Sequence, residues 1–238
     1  MADIEPAGQS PATVAGPGFS LSGLINVFVR PERFLEKLKD NPRIIVPYIA
    51  VVIVGFIGVY AVADILARTQ IEQLRAMEFV PADRIPSLSQ LKVRILAFAP
   101  VGSLLSPLAV AVLFMVWGNF VMGGRAGFKQ ILSLALYSEF VFASIHTVEL
   151  LLAAAKGSMD VSLSLGILVI DRGMDSLPYV ILSKIGVKHF WQIVILGIGA
   201  RKYYGMDSNK GYVLAVLTIG TLALIHIGFA AIGQLFKP

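Results

Sequence analysis

From Ile95 to Gly124 the chain runs for 30 residues without an Asp, Glu, Lys or Arg. Hydrocarbon is the solvent such a stretch suits, because about 20 mainly apolar residues suffice to cross a bilayer as a helix. Ile44 to Ala63 and Gly211 to Phe236 are equally free of those four residue types. Gln130 to Ala155 is long enough too, but Glu139, His146 and Glu149 interrupt it. A fifth run, Ile185 to Tyr204, is shorter, with a clean core only from His189 to Ala200. Trp191, Tyr203 and Tyr204 read there as interfacial anchors, with Arg201 and Lys202 placed to snorkel. The runs are continuous rather than alternating, so the spans are helices and not barrel strands. The expected fold is all-α: a polytopic membrane helical bundle of five transmembrane helices in a single unit, residues 41–236. The spans are expected at about 44–66, 95–122, 130–155, 185–204 and 211–235.

Composition excludes the soluble alternatives. Charged residues make up 15% of the 238 and hydrophobic ones 56%, whereas a soluble domain carries about 25% charged residues. With no cysteine in the chain, disulfides, thiolate metal sites and a cysteine nucleophile are all ruled out. The net charge of +5 is dispersed between apolar runs, a pattern of membrane-flanking charge that argues against a nucleic-acid partner.

Five crossings put the termini on opposite sides. With the N-terminus inside, segments 21–43, 123–129 and 201–210 hold ten Lys/Arg in 40 residues, against nine in 61 for 67–94 and 156–188. The excess favours a cytoplasmic N-terminus. Residues 1–20 are rich in Pro, Gly, Ala and Ser and read as a disordered tail. No cleavable signal peptide is visible, and the first span is expected to act as an uncleaved anchor. Residues 21–40 alternate apolar and basic positions at helical spacing: either an interfacial helix on anionic headgroups or a juxtamembrane helix packed under the bundle. The expected headgroup contacts are Arg30, Arg33, Lys37, Lys39, Arg125 and Lys129. On the outer side, Arg68 to Met77 extends the first helix into water. Val161 to Ile170 is too short to span, so 161–183 is expected to form two short interfacial or re-entrant helices, the second starting near Ser176 and Pro178. Pro100 and Pro107 should bend the second span.

Ionisable residues inside a membrane are costly and call for a reason. Glu139, His146 and Glu149 stand seven and three residues apart, on one helical face. With Asp64 and His226 at comparable depth, Asp64, His146, Glu149 and His226 are expected to cluster in the outer half of the bundle. Three readings are open: groups pairing to fix helix packing, a proton or ion relay that includes Glu139, or a metal site. His146-x-x-Glu149 reverses the Glu-x-x-His order of di-iron bundles, so no metal or cofactor is assigned. Gly123-Gly124-Arg125-Ala126-Gly127-Phe128-Lys129 fails the phosphate-loop spacing and reads as a tight inner turn. Asn119 reads as a helix-packing group. No catalytic residues are assigned, and an enzyme is not expected.

The order of features is nevertheless distinctive. A basic helix, Arg30-Pro31-Glu32-Arg33-Phe34-Leu35-Glu36-Lys37-Leu38, and an Asn41-Pro42 break precede the first span. A Gly-Gly turn leads into Phe128-Lys129-Gln130-Ile131-Leu132-Ser133-Leu134-Ala135-Leu136-Tyr137-Ser138, and Phe190-Trp191-Gln192-Ile193-Val194-Ile195-Leu196-Gly197-Ile198-Gly199 follows later. Over roughly residues 25–235 this resembles prokaryotic members of the Yip family, the Ypt/Rab-interacting membrane proteins. The resemblance implies five spans, a cytoplasmic N-terminus and a multi-pass protein of the bacterial inner membrane. Together with the absent catalytic motifs and the wide apolar surface, this layout leads to the expectation of a scaffold or accessory partner of a transport or envelope system, held in the lipid bilayer beside a membrane-protein partner or a second copy of itself. Eukaryotic relatives look like adaptors that bind small GTPases and one another. The chain departs from many relatives at Glu139-Phe140, where they place a proline, and at Gly186-Val187-Lys188-His189-Phe190. Glu139, His146, Glu149 and His226 carry the competing reading, a proton- or ion-coupled permeation protein.

Overall fold

The middle of the molecule is a single helix, α5 (Phe128–Lys156), in which every residue from Ile131 to Val141 is buried. The computed structural model describes residues 21–77 and 80–235; the expected tail, residues 1–20, lies outside them. Around α5 stand α3 (Ile45–Ala76), α4 (Leu88–Met115), α7 (Val187–Tyr204) and α8 (Ser208–Leu235), with α1 (Ser22–Val29) and α2 (Pro31–Asp40) folded across one end. That end is called proximal below, the opposite one distal. Among the described residues the secondary structure is helical apart from one isolated bridge, Ser164 to Gly186.

Local signals set the helix limits. Ser87 caps α4 by accepting from the Gln90 amide at 3.3 Å, while the Gln90 side chain accepts from the Ser87 amide at 2.9 Å, a reciprocal capping box. Pro31 opens α2 at a position whose missing N–H costs nothing. Gly157 and Gly205 close α5 and α7 at φ of +72° and +66°, a left-handed conformation that glycine adopts without a Cβ penalty. Pro100 and Pro107 lie within α4, which runs on through both and ends in a π-helical turn, Val116–Val121.

Four helices are long and apolar enough to cross a membrane: Ile45–Ala76, Leu88–Val121, Phe128–Lys156 and Ser208–Leu235. The first has 32 residues and at 1.5 Å each is longer than a hydrocarbon core of about 30 Å. Arg68 and Arg75 accordingly stand exposed on its last turns. The shorter α7, 18 residues, lies against α5 from Lys188 beside Glu149 at the distal end to Gly199 beside Leu134.

Helices successive in the chain alternate in direction. Arg43 and Ser133 exchange hydrogen bonds at 2.9 and 2.7 Å at the proximal end, and Thr147 donates to the Val54 carbonyl farther along, so α3 and α5 run parallel. Asp64–Lys92 at one end and Tyr48 bonded to the Leu104 carbonyl nearer the other make α4 antiparallel to α3. Lys184–His226 and the Gly197–Gly211 approach do the same for α7 and α8.

Lipid-facing and core-facing sides separate cleanly. On α3, α4 and α8 the large side chains Ile53, Phe98, Leu105, Val112, Leu224 and Phe229 are exposed, as expected where the surrounding medium is as apolar as they are. Inside, α7 approaches its neighbours through glycine: a Cβ on Gly199 would collide with the buried Leu134 side chain, and one on Gly197 with the Tyr212 ring. The amphipathic N-terminal segment forms two helices rather than one. Val27, Leu35 and Leu38 are buried in the main core, and Phe28 and Phe34 meet Phe140 and Tyr137 edge-to-face. The segment thus packs its apolar side against the end of the bundle. Arg30, Arg33 and Lys37 remain exposed on its far side, and Lys39 is half-buried.

Tyr203 and Tyr204 do not act as interfacial anchors. Tyr203 is buried, and Tyr204 stacks on Phe114 while its hydroxyl donates to Asn119 at 2.6 Å. The small residues Gly118 and Gly124 leave room for that ring, so α7 ends inside the proximal packing. Arg201 and Lys202 approach Glu32 and Glu36 of α2 at 3.4 Å.

Candidate functional site

A carboxylate in the most buried stretch of the central helix needs donors from its neighbours. Glu139 finds two. Ser106 Oγ on α4 donates to one oxygen at 2.9 Å, and Gln192 Nε2 on α7 donates to the other. With 5% of its surface exposed, Glu139 ties three helices together.

Two turns farther along the same face, about 10 Å at 1.5 Å per residue, sits a separate group. Glu149 accepts from Lys188 Nζ at 2.6 Å and from the Leu163 amide at 2.8 Å, and His146 Nδ1 lies 3.0 Å away. Lys188 is also 3.1 Å from His146 Nδ1 and 5.7 Å above the centre of the Phe142 ring. One imidazole nitrogen thus faces both a carboxylate and an ammonium: it donates to Glu149 in one tautomer and accepts from Lys188 in the other.

The Leu163 bond extends this clamp into the distal loop. Leu163 and Val187, Leu165 and Ile185 are joined by backbone bonds of 3.1 and 2.9 Å. They lead into a 3₁₀ segment, Leu165–Arg172, and then α6 (Leu177–Leu182), capped by Ser176. Two short distal helices, the second beginning just after Ser176, therefore occupy the stretch where the sequence places them.

The expected grouping of Asp64, His146, Glu149 and His226 does not form as one contact cluster. Only His146 and Glu149 touch. Asp64 is exposed and bridged to Lys92 at 3.0 Å, and His226 lies 2.8 Å from Lys184 Nζ. The physical reason is that three lysines at the helix starts, counted in the sequence as loop charges, reach back along the helices and each takes one member. Lys92, Lys184 and Lys188 were thus missed, as were the neutral donors Ser106 and Gln192. Position beside an apolar run was the available signal for the lysines. Burial, with the charge of Lys188 adding to it, holds the Lys184 ammonium below the ordinary lysine pKa.

Two cavities meet at Glu139. One of about 250 Å³ opens between α4, α5, α7 and α8 and is lined by Glu139, Lys184, His189, Gln192 and His226. The other, about 200 Å³ between α3, α4 and α5, is lined by Glu139, His146, Gly55, Gly102 and Thr147. Ser106, Glu139 and Phe142 border both. Among the described residues no His, Asp and Glu side chains gather in threes as a metal cage would require. At the proximal end, Asn119 donates to the Ala126 carbonyl at 3.0 Å and pins the Gly123–Gly127 turn, while Trp117 Nε1 donates to Thr221 at 3.1 Å. These are packing bonds around the π-helical turn. Arg125 and Lys129 flank them, both exposed.

Comparison with curated proteins and with solved structures returns no match. A family model described as the Yip1 domain matches residues 25–232. That match takes in all of α2 to α7 and most of α1 and α8. The chain is a multi-pass helical membrane protein, and it belongs to the Yip1 domain family.

Proposed function

We propose that this protein is a non-enzymatic scaffold, an accessory partner of a transport or envelope system in the bacterial inner membrane. It crosses that membrane five times with its N-terminus in the cytoplasm. The alternating directions of α3, α4, α5, α7 and α8 and the excess of Lys and Arg at the proximal end support the topology. Arg30, Arg33, Lys37, Lys39, Arg125 and Lys129 then lie at the level of the inner headgroups. The observation that carries the scaffold reading is how the interior polar groups are used. Glu139, Glu149, Lys188 and Gln192 tie helix to helix, and the outer faces of α3, α4 and α8 remain apolar. Rigid helices with apolar outer faces are what a protein offers to another membrane protein or to a second copy of itself.

A photo-crosslinking residue at Phe98, Leu105 or Val112 tests this in native membranes. A defined protein adduct, heteromeric or homodimeric, is the expected product. Recovery of lipid adducts alone from all three positions defeats the proposal.

One observation favours a second reading, proton- or ion-coupled permeation: Glu139 is the shared wall of two cavities, with His146 on one and His226 on the other. On this reading Glu139→Gln or His146→Ala abolishes a pH-dependent flux in liposomes while the fold survives. Absence of flux in the unmodified protein across a panel of cations and organic solutes removes it.

A further inference from the structure

The cavity between α4, α5, α7 and α8 has an ionisable group at each end and apolar walls between. At its inner end is Glu139, with 5% of its surface exposed. An ionised carboxylate accepts about four hydrogen bonds, and Ser106 and Gln192 supply two. At its rim is Lys184, whose ammonium has three donors, one of them spent on His226 Nδ1. His189 lines the same cavity, and its Nδ1 is buried with no hydrogen-bond partner among the described residues. Phe142, Ile219 and Leu222 form the sides.

These features select the ligand. A simple anion would meet Glu139, and a simple cation would meet Lys184; either would leave one buried charge opposed rather than matched. A ligand with both an ammonium and an acidic group matches both ends. The length is right for a small one. Lys184 lies three residues before α7, and Gln192, which holds Glu139, lies five residues into it, so the carboxylate is only about 8 Å below the helix start at 1.5 Å per residue. The volume of about 250 Å³ is just under the range of about 300–1,000 Å³ for drug-sized ligands, enough for a headgroup and too little for acyl chains. The chains would stay outside, against the apolar faces of α4 and α8.

We infer that this cavity binds a zwitterionic aminoalkyl phosphate of the phosphoethanolamine class, its ammonium on Glu139 and its phosphate on Lys184, His226 and His189. The inference does not depend on the scaffold reading, and its readout is lipid retention rather than a protein adduct.

The test uses the full chain in nanodiscs of phosphatidylglycerol mixed with either phosphatidylethanolamine or phosphatidylcholine, followed by native mass spectrometry of the released complex. Phosphatidylethanolamine should be retained over phosphatidylcholine, whose trimethylated amine has no N–H for Glu139, and over phosphatidylglycerol, which has no amine. The margin should be about tenfold or more, the value of one hydrogen bond to a charged group. Glu139→Gln should remove that preference, while Lys184→Ala, which deletes a contact to the phosphate that all three lipids share, should lower the retention of all three. Soluble glycerophosphoethanolamine distinguishes the sources: competition with the lipid assigns the site to the free headgroup as well, and failure to compete assigns it to the lipid alone. Equal retention of the three lipids overturns the inference, as does unchanged lipid retention in Lys184→Ala. If Glu139→Gln does not fold, His226→Ala replaces it, since that side chain is exposed on the rim; phosphatidylethanolamine retention undiminished by this change overturns the inference equally.

Discussion

Replacing Glu149 with alanine tests the distal clamp most directly. The side chains of Lys188 and Glu149 are 14% and 7% exposed, so removing the carboxylate leaves an ammonium buried with His146 and the Phe142 ring beside it but no opposite charge. Breaking such a pair from one side costs about 3–5 kcal/mol. The Leu163 amide also loses its acceptor, and an orphaned buried donor costs about 1–3 kcal/mol. In a chain of this size each kcal/mol moves the midpoint of thermal unfolding by about 2–4 °C, so the broken pair alone predicts a fall of about 6–20 °C. Lys188 begins near the helix start and can partly reach the boundary, which places the outcome toward the lower half of that range. The double variant Glu149→Gln/Lys188→Met removes both charges, and the glutamine carbonyl still accepts from Leu163. Replacing a buried ion pair by groups of similar volume is often neutral, so the double variant should melt close to the unmodified protein. Tryptophan fluorescence in detergent or nanodiscs follows the melt, and hydrogen exchange at the Leu163 amide reports the local bond: fast in the single variant, protected in the double. If single and double variants melt together, or if the single variant stays within about 2 °C of the unmodified protein, the clamp is not what holds the distal loop.

Four further outcomes follow from particular residues. Gly199→Ala should lower the melting midpoint, because its new methyl meets the buried Leu134 side chain. Gly220→Ala, where a Cβ meets nothing within 4 Å, should raise it through the helix propensity gained, about 1 kcal/mol. Single cysteines at Arg125 and Asp171, both exposed in a chain otherwise free of cysteine, should react with an impermeant maleimide from opposite faces of sealed vesicles; labelling from the same face contradicts the alternating topology. Amine-reactive labelling of Lys184 should show a pH midpoint below the ordinary lysine value, because burial and the Lys188 charge both disfavour the ammonium. Lys188→Met should move that midpoint part of the way back up, read by mass spectrometry of the labelled peptide.

The helices were legible because lipid enforces a simple rule: a long run without charge must be helical wherever it meets hydrocarbon. That rule located α3, α4, α5 and α8, although α4 begins seven residues before its expected span, and the family resemblance followed from the order of the features around them. It says little about contacts between helices. Glu139 and Glu149 share one face of α5, and the sequence gives no sign that one takes neutral donors and the other a lysine; that depends on which side chains α4 and α7 present at each depth. The lysines were misplaced for a related reason. Counting Lys and Arg as loop charges is sound for orientation, but a residue at the mouth of a helix has a four-carbon stem and can return its charge to the bundle. Lys188 does so at 2.6 Å from Glu149.

The same geometry explains why α5 can be the most buried helix and still carry two carboxylates. A buried charge is tolerable where its partners are fixed before it arrives, and each partner here is anchored by its own helix. Gln192 belongs to α7, whose Gly199 lets it approach α5 closely, and Ser106 stands one residue before Pro107 in α4. Glu139 therefore reports on the spacing of three helices at once. A change that moves α4 or α7 outward, including a partner docking on the exposed face of α4, lengthens a bond to that carboxylate and opens one of the two cavities that meet there. Any regulation of this protein by its neighbours in the membrane has a physical route through that side chain. The infrared absorption of the Glu139 carboxyl group is the observable to follow: it should shift when a crosslinked partner is formed at Leu105, and stay unchanged when the crosslink is placed at Ile53 on α3.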